Sequence, residues 1–246
     1  MSAADDKTFP FVSIVTPTYN RRRFIPWLIT MVEHQDYRKD RMEWIILDDG
    51  QEKIQDLVEA AAKRLPTVRY IPLEEKLTIG AKRNRLNQEA KGSIIVAMDD
   101  DDYYPPCRVS AVVTAFKQKP KHELAGASEI YMYYSDIKTI YRLGPYNPNH
   151  ATNGTMAWRS SYGKTHLYDE TVTHSEERSF LEDYKHPMIQ LDPFKVMLVM
   201  SHSENTFDKR KLRDQETPFV KKTDLKLKVF LKEKHEKEMR EFFANA

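Results

Sequence analysis

Four consecutive aspartates, Asp99 to Asp102, follow directly on an apolar run in the stretch "SIIVAMDDDDYYPPCR". At about 4 Å and an effective dielectric near 20, each repelling pair costs on the order of 4 kcal/mol, so the cluster predicts a positive partner. Two further polar groups also follow apolar runs: "TPTYN" (Thr16 to Asn20) and "DDG" (Asp48 to Gly50). "GAKRNR" (Gly80 to Arg85) adds Lys82, Arg83 and Arg85 at the opening of a helical pattern. One or two carboxylates commonly hold magnesium or manganese, with phosphate oxygens and water filling the other positions. A guanidinium pairs bidentately with phosphate. No G-x-x-x-x-G-K-[ST] or G-x-G-x-x-G follows a strand, so the usual glycine loops for phosphate are missing and a phosphorylated ligand needs these other counter-charges. A basic helical turn taken alone is an ordinary solvated surface, and an isolated aspartate run is an ordinary solvated or capping cluster.

The elements that must position these residues read as βαβ units around a mostly parallel sheet. "FVSIVTPTYN", "MEWIILDDG", "VRYIPLEE" and "SIIVAMDDDD" read as strands, separated by the helical patterns "FIPWLITMVEHQ" and "IGAKRNRLNQEA" and followed by "CRVSAVVTAFKQK". The continuous apolar core of the fourth strand predicts burial on both faces. Ligands of an open parallel sheet bind beyond the carboxyl ends of its strands, near the point where strand order reverses, and three of the polar groups sit at such ends. Further along, "ELAGASEIYMYYSDIKTIYRL" predicts strands in a hairpin or meander, then a polar, loop-rich stretch runs from Gly144 to about His174. "SEERSFLEDY" has helical spacing, "FKVMLVMS" reads as a strand, and "DLKLKVFLKEKHEKEMREFFANA" as a Lys-rich amphipathic helix that docks on the domain or meets a further domain or subunit. The chain is expected to be a single domain over residues 1–246, with a nucleotide-binding subregion over about 10–120, an acceptor-binding subregion over about 121–210 and a C-terminal helix over about 222–246.

Composition limits the partners. The 246 residues carry 39 Lys and Arg against 37 Asp and Glu, a net charge of +2 too small to suggest obligate nucleic acid binding. Cys107 is the single cysteine, which excludes an intrachain disulfide and a Cys-based zinc site and fits a reducing, cytoplasmic-type compartment. "MSAADDKTFP" lacks the basic start and apolar core of a signal peptide, and no apolar run approaches the ~20 residues of a membrane span. His150, His166 and His174 lie in the polar middle region without metal-ligand spacing.

Over roughly residues 10 to 205 these motifs resemble the nucleotide-sugar-dependent glycosyltransferases of the GT-A fold, and specifically their large inverting family 2. "VSIVTPTYNR" looks like the first strand and P-T-Y-N loop, "IILDDG" like the second-strand motif, and "DDDDYYPPCRV" like D-x-D-D-x-x-x-P-x-R-L, aligned on Pro106 and Arg108. "GAKRNR" resembles G-x-x-x-A-R-N-x-G but carries Leu86 where a glycine is due one step later. The resemblance implies a GT-A α/β fold, a nucleotide-diphosphate sugar donor, a UDP-sugar in particular, a glycan or other hydroxyl acceptor, and a divalent metal ion, Mn2+ or Mg2+. It implies that Thr16, Pro17, Thr18 and Asn20 line base and ribose, that Asp49 accepts from the uracil N3, and that Arg83 and Asn84 meet the donor. Asp101 is implied as metal ligand, Asp99 or Asp100 faces the ribose or a metal-bound water, and His202 in "MSHSENTF" meets metal or diphosphate. "FLEDY" resembles the family's E-D motif, which makes Asp183 the expected base and Glu182 its competitor. Trp158 offers a ring that either stacks on an acceptor sugar or lies in the core. Two other classes remain open: a sugar-nucleotide-forming nucleotidyltransferase, whose glycine-rich signature loop is absent, and a non-catalytic nucleotide- or carbohydrate-binding module, which would need no base.

Overall fold

In the computed structural model, residues 9–172, 175–205, 207–215 and 217–246 are described. Strands β1 (Val12–Thr18), β2 (Met42–Asp48), β3 (Thr67–Pro72) and β4 (Ile94–Ala97) form a parallel array in the order β3-β2-β1-β4. Val12 pairs with both Met42 and Ile94, so β1 lies between the second and fourth strands and strand order reverses beside it. The apolar residues of these strands alternate between two cores: Val12, Ile14, Ile94 and Val96 on one face, Val15, Ile45, Leu47, Ile95 and Ala97 on the other. Burial on both faces is why the strands read as unbroken apolar runs.

Helices α1 (Ile25–Glu33), α2 (Gln55–Ala61), α3 (Ile79–Glu89) and α4 (Arg108–Gln118) fill the crossovers and flank the sheet. On α4 the buried residues Val109, Val112, Val113 and Phe116 recur at helical spacing and form the stripe that meets the sheet. Beyond β4 the main sheet is extended by β8 (Ala157–Arg159), antiparallel to it, and then by β5 (Leu124–Gly126) and β9 (Met188–Gln190). A second sheet orders β10 (Leu198–Ser201), β6 (Ile130–Tyr134), β7 (Thr139–Leu143) and β11 (Val220–Lys222). The expected hairpin is the antiparallel pair of β6 and β7. The architecture is the α/β, mostly parallel arrangement expected of a GT-A-like fold.

Two local expectations are corrected. The long C-terminal helix is short: β11 and a 3-10 turn at Leu227–Val229 precede a helical end, α7 (Lys237–Phe243), entered through a capping box between Glu233 and Glu236. The apolar residues of that segment instead dock singly, with Leu227, Phe230, Leu231, Met239 and Phe243 buried against the larger core. In "SEERSFLEDY" only α6 (Glu177–Phe180) is helical. Glu182, Asp183 and Tyr184 follow with φ of 46°, 58° and 62°, a left-handed run that breaks the helix.

Candidate active site

The carboxyl ends of β1 and β4 open into a cleft of about 610 Å³ that gathers Pro17, Arg21, Lys82, Arg83, Asp99 to Asp102, Glu176 and Glu177. The bridge Tyr103 to Leu198 joins the aspartate loop to the second sheet, so the cleft lies where the two sheets meet.

Each aspartate has a different environment. Asp99 Oδ1 accepts from Arg83 Nη1 at 3.1 Å. Asp100 is buried, and burial together with the neighbouring Asp101 charge pushes its carboxyl upward. Asp101 is half-buried, and the desolvation this brings would raise it, but a hydrogen bond from His202 and the charges of Lys209 and Arg21 outweigh that and hold it well below the usual carboxylate range. Its Oδ2 lies 3.2 Å from His202 Nε2, 3.3 Å from Asn205 Nδ2 and 3.5 Å from Arg21 Nε. Asp102 accepts from the Met200 amide at 2.7 Å and lies 3.7 Å from Lys209 Nζ, so the fourth acid pins the loop to β10. The opposed states of Asp100 and Asp101 lower the repulsion that the sequence alone implies.

Residues of this cleft fit a divalent cation. The carboxylate of Asp101, kept ionised, is a hard oxygen donor suited to manganese or magnesium, and the imidazole of His202 is directed at the same oxygen. The Glu204 amide donates to His202 Nδ1 at 3.2 Å, and His202 Nε2 lies 2.9 Å from Asn205 Nδ2 and 3.2 Å from Asp101 Oδ2.

Arg83 is the cationic centre of the cleft. It is buried between Asp99 and Glu176, whose Oε1 accepts from Nε at 2.8 Å, and those charges outweigh the effect of burial and keep the guanidinium firmly protonated. Asn153 fits best with its amide oxygen 2.7 Å from Arg83 Nη1 and its nitrogen donating to the Tyr168 hydroxyl at 2.7 Å. Glu177, half-buried at the cleft, is pushed up to about 7 by burial and by the adjacent Glu176 charge.

Several residues expected at the site are placed elsewhere. Thr16 is fully buried: its hydroxyl donates to the Met98 carbonyl at 2.8 Å and accepts from Trp44 Nε1 at 3.0 Å, so it joins β1 to β4 rather than touching a ligand. Thr18 is buried beneath its loop, with its carbonyl 3.5 Å from Lys82 Nζ. Asn20, at φ 52°, accepts from the Gln51 amide at 2.8 Å and ties the loops after β1 and β2 together. Both Asp49 oxygens are engaged, one by Lys82 Nζ and one by the Leu77 amide, each at 2.8 Å. Asn84 clamps Tyr168 through two 2.9 Å bonds to its backbone. Trp158 is 1% exposed, donates to Asn87 Oδ1 at 3.1 Å and packs edge-on to Phe180; a ring buried in β8 cannot stack on a sugar. Asp183 is exposed and faces Arg178 at 2.5 Å on another surface, and Glu182 faces His186 at 3.2 Å; neither lines the cleft.

Arg21, Lys209, Glu176 and Glu177, not singled out by the sequence, line the cleft, and Asn205 reaches Asp101, all from loops and short elements whose chain positions carry no periodic signal. The adjacent glutamates of "SEER" were a usable signal, a carboxylate pair at a helix start, outcompeted by "FLEDY" a few residues on.

Comparison with known proteins agrees with this architecture. The family profile described as "Glycosyl transferase family 2" matches residues 13–171, more than half of the chain, so the chain belongs to that family. WcaA of Escherichia coli (strain K12), provisionally named a colanic acid biosynthesis glycosyl transferase, is 31% identical over 150 residues, 57% of this chain and 52% of WcaA. Staphylococcus aureus TarS 1-349, solved with UDP-GlcNAc, superposes with a TM-score of 0.64 at 18% identity over 79% of this chain and 59% of TarS. The mannosyltransferase PcManGT of Pyrobaculum calidifontis, solved with GDP-Man and Mn2+, gives 0.62 at 15% identity over 80% of this chain and 58% of that one. At such identities the structural likeness shows the fold. The chain spans about half the length of WcaA.

Proposed function

We propose that this chain transfers a sugar from a nucleoside diphosphate sugar, a UDP-sugar in particular, to a hydroxyl group of a glycan or other acceptor, with inversion at the anomeric carbon. The observation that carries this reading is the convergence, in one cleft, of an ionised Asp101, a buried arginine and a glutamate near neutrality. The donors in the TarS and PcManGT structures, UDP-GlcNAc and GDP-Man, support the donor class.

In this reading Pro17, Asp99 and Asp100 face the nucleoside, and Arg83 binds the diphosphate, where a guanidinium stabilises the charge that develops as the anomeric C–O bond breaks. A divalent ion held by Asp101 beside His202 would supply Lewis-acid stabilisation of that same diphosphate. Arg83 is held in place by Glu176 and Asn153, so it meets the leaving group without reorganising. Glu177 takes the proton of the acceptor hydroxyl as its oxygen attacks, since a carboxylate raised toward neutrality is a stronger base than an exposed one. Asp183, exposed and paired with Arg178, is outside the reaction. Tyr146, Tyr184 and His150 stand together in the cleft lining and offer rings on which an acceptor sugar can stack, in place of the buried Trp158.

The test is UDP release from a panel of UDP-sugars with Mn2+. Glu177→Gln is expected to lower turnover roughly 100-fold or more, the usual range for a lost general base. Asp183→Asn should stay within about twofold, as for an exposed side chain away from the reacting atoms, and chelating the metal should abolish transfer. A wild-type chain that neither hydrolyses nor transfers any nucleotide sugar, and binds UDP equally with and without metal, would sink the enzymatic reading.

A further inference from the structure

Away from the cleft, His166 comes together with Glu182 and His186, a pair four residues apart. The side chains of His166, Glu182 and His186 bring one ligand atom each to within 4.8 Å of one another. His186 Nε2 lies 3.2 Å from Glu182 Oε2, and His166 Nε2 lies 3.9 Å from Glu182 Oε1. None of the three lines the donor cleft.

The rings are held before any ion arrives. His166 stacks on the buried ring of Tyr162, 3.8 Å away and parallel to within 1°, and His186 meets that ring edge-on at 5.3 Å. His166 Nδ1 lies 2.9 Å from the Thr165 hydroxyl and 3.1 Å from the Tyr162 carbonyl, and the Thr165 hydroxyl donates to the Ser161 and Tyr162 carbonyls, so a proton on Nδ1 satisfies all of these contacts. That tautomer leaves Nε2, 3.9 Å from Glu182 Oε1, free to ligate a metal. A second hydrogen bond fixing tautomer and orientation is the usual support of a metal-bound histidine. His202, beside Asp101, instead has Nδ1 accepting from the Glu204 amide.

We propose that His166 Nε2, His186 Nε2 and the Glu182 carboxylate bind one zinc ion, with water in the fourth position. Two imidazoles and one carboxylate are a borderline donor set that favours Zn2+ over the Mg2+ or Mn2+ of an oxygen-rich site. Zinc–ligand distances of about 2.0–2.2 Å put tetrahedral ligands a little over 3 Å apart, so the His186–Glu182 separation already fits and the rest close by small side-chain rotations. The ion ties the residue that follows α5 (Ser160–Thr165) to the turn after α6. That turn is the left-handed run at Glu182 to Tyr184, with Tyr184 facing the donor cleft and Glu182 facing the histidines. The metal is thus a brace on the segment that carries Glu177 and Tyr184 into the cleft.

Cobalt(II) is the probe, because a four-coordinate site absorbs far more strongly in the visible than a six-coordinate, oxygen-rich one. Wild-type protein titrated with Co2+ should develop the intense bands of four-coordination at one equivalent and lose them on addition of one equivalent of Zn2+. The bands should persist in Asp101→Asn, which separates this site from the cleft. They should weaken in Glu182→Gln, with metal affinity down at least tenfold, and vanish in His186→Ala; both side chains are at the surface, so the fold is retained. Absence of the bands in wild type at excess Co2+, or their survival in both Glu182→Gln and His186→Ala, overturns the proposal. Neither result depends on sugar transfer, so the transferase reading stands or falls separately.

Discussion

At the scale of residues, what distinguishes the acids of the cleft is environment rather than type. Glu177, pushed up to about 7 by burial and by Glu176, loses its proton over the physiological range, whereas exposed Asp183 beside Arg178 is held low and stays ionised. A base works only as the carboxylate, so the transfer rate should rise with pH through about 7 and level off above it. A pH profile of kcat with the preferred donor checks this, and a rate that is flat from pH 5 to about 9 would remove Glu177 from the reaction. The aspartate run was legible because a sequence states charge outright. That Glu177 lines the cleft and Asp183 does not was not legible, because both are acids near a short helix and only packing separates them.

Among the elements, α3 shows how a glycine positions a site. A Cβ at Gly80 would meet the Asp169 carbonyl oxygen at 2.2 Å and the Glu170 Cα at 3.2 Å, so the first turn of α3 lies directly against the loop after residue 168. That approach lets Asn84, one turn on, clamp the Tyr168 backbone, and Tyr168 in turn reaches the Asn153 that faces Arg83. Gly80→Ala is expected to cost about 1–3 kcal/mol, the range for forcing an atom into a packed contact. A lowered urea midpoint with unchanged slope measures it, and donor affinity should weaken with it because Arg83 loses its lateral support. The "GAKRNR" segment resembled a ligand-binding motif as a whole, yet only Lys82 and Arg83 line the cleft. Asn84 and Gly80 serve the contact beneath it.

For the whole molecule, the C-terminal segment closes over the second sheet and reaches the acidic loop. The buried Tyr103 hydroxyl, next in sequence to Asp102, donates to Glu236 Oε1 at 2.7 Å and lies 3.1 Å from the Phe230 carbonyl. Glu236→Ala removes the charged acceptor from a buried hydroxyl and should cost about 1–3 kcal/mol. Tyr103→Phe in the same background should restore part of that loss, a coupling readable in a double-mutant cycle by thermal or denaturant unfolding. Additive effects would mean that the two side chains do not act together.

The sequence by itself determined the parallel half of the fold and the location of its ligand edge. Continuous apolar strands, helical spacing between them and charges at the strand ends are local patterns, and a parallel sheet must bring those ends to one side. It also carried the family, through motifs that each occupy a single loop. Tertiary structure alone decided which residues of those loops face the cleft, turning Thr16, Asn84 and Trp158 inward and Asp183 away. The same holds for the cluster of His166, Glu182 and His186: the last two are four residues apart, but only the fold brings His166 to them. Side-chain direction there depends on a left-handed run at Glu182 to Tyr184 and on the ring of Tyr162, contacts between segments that no local pattern encodes.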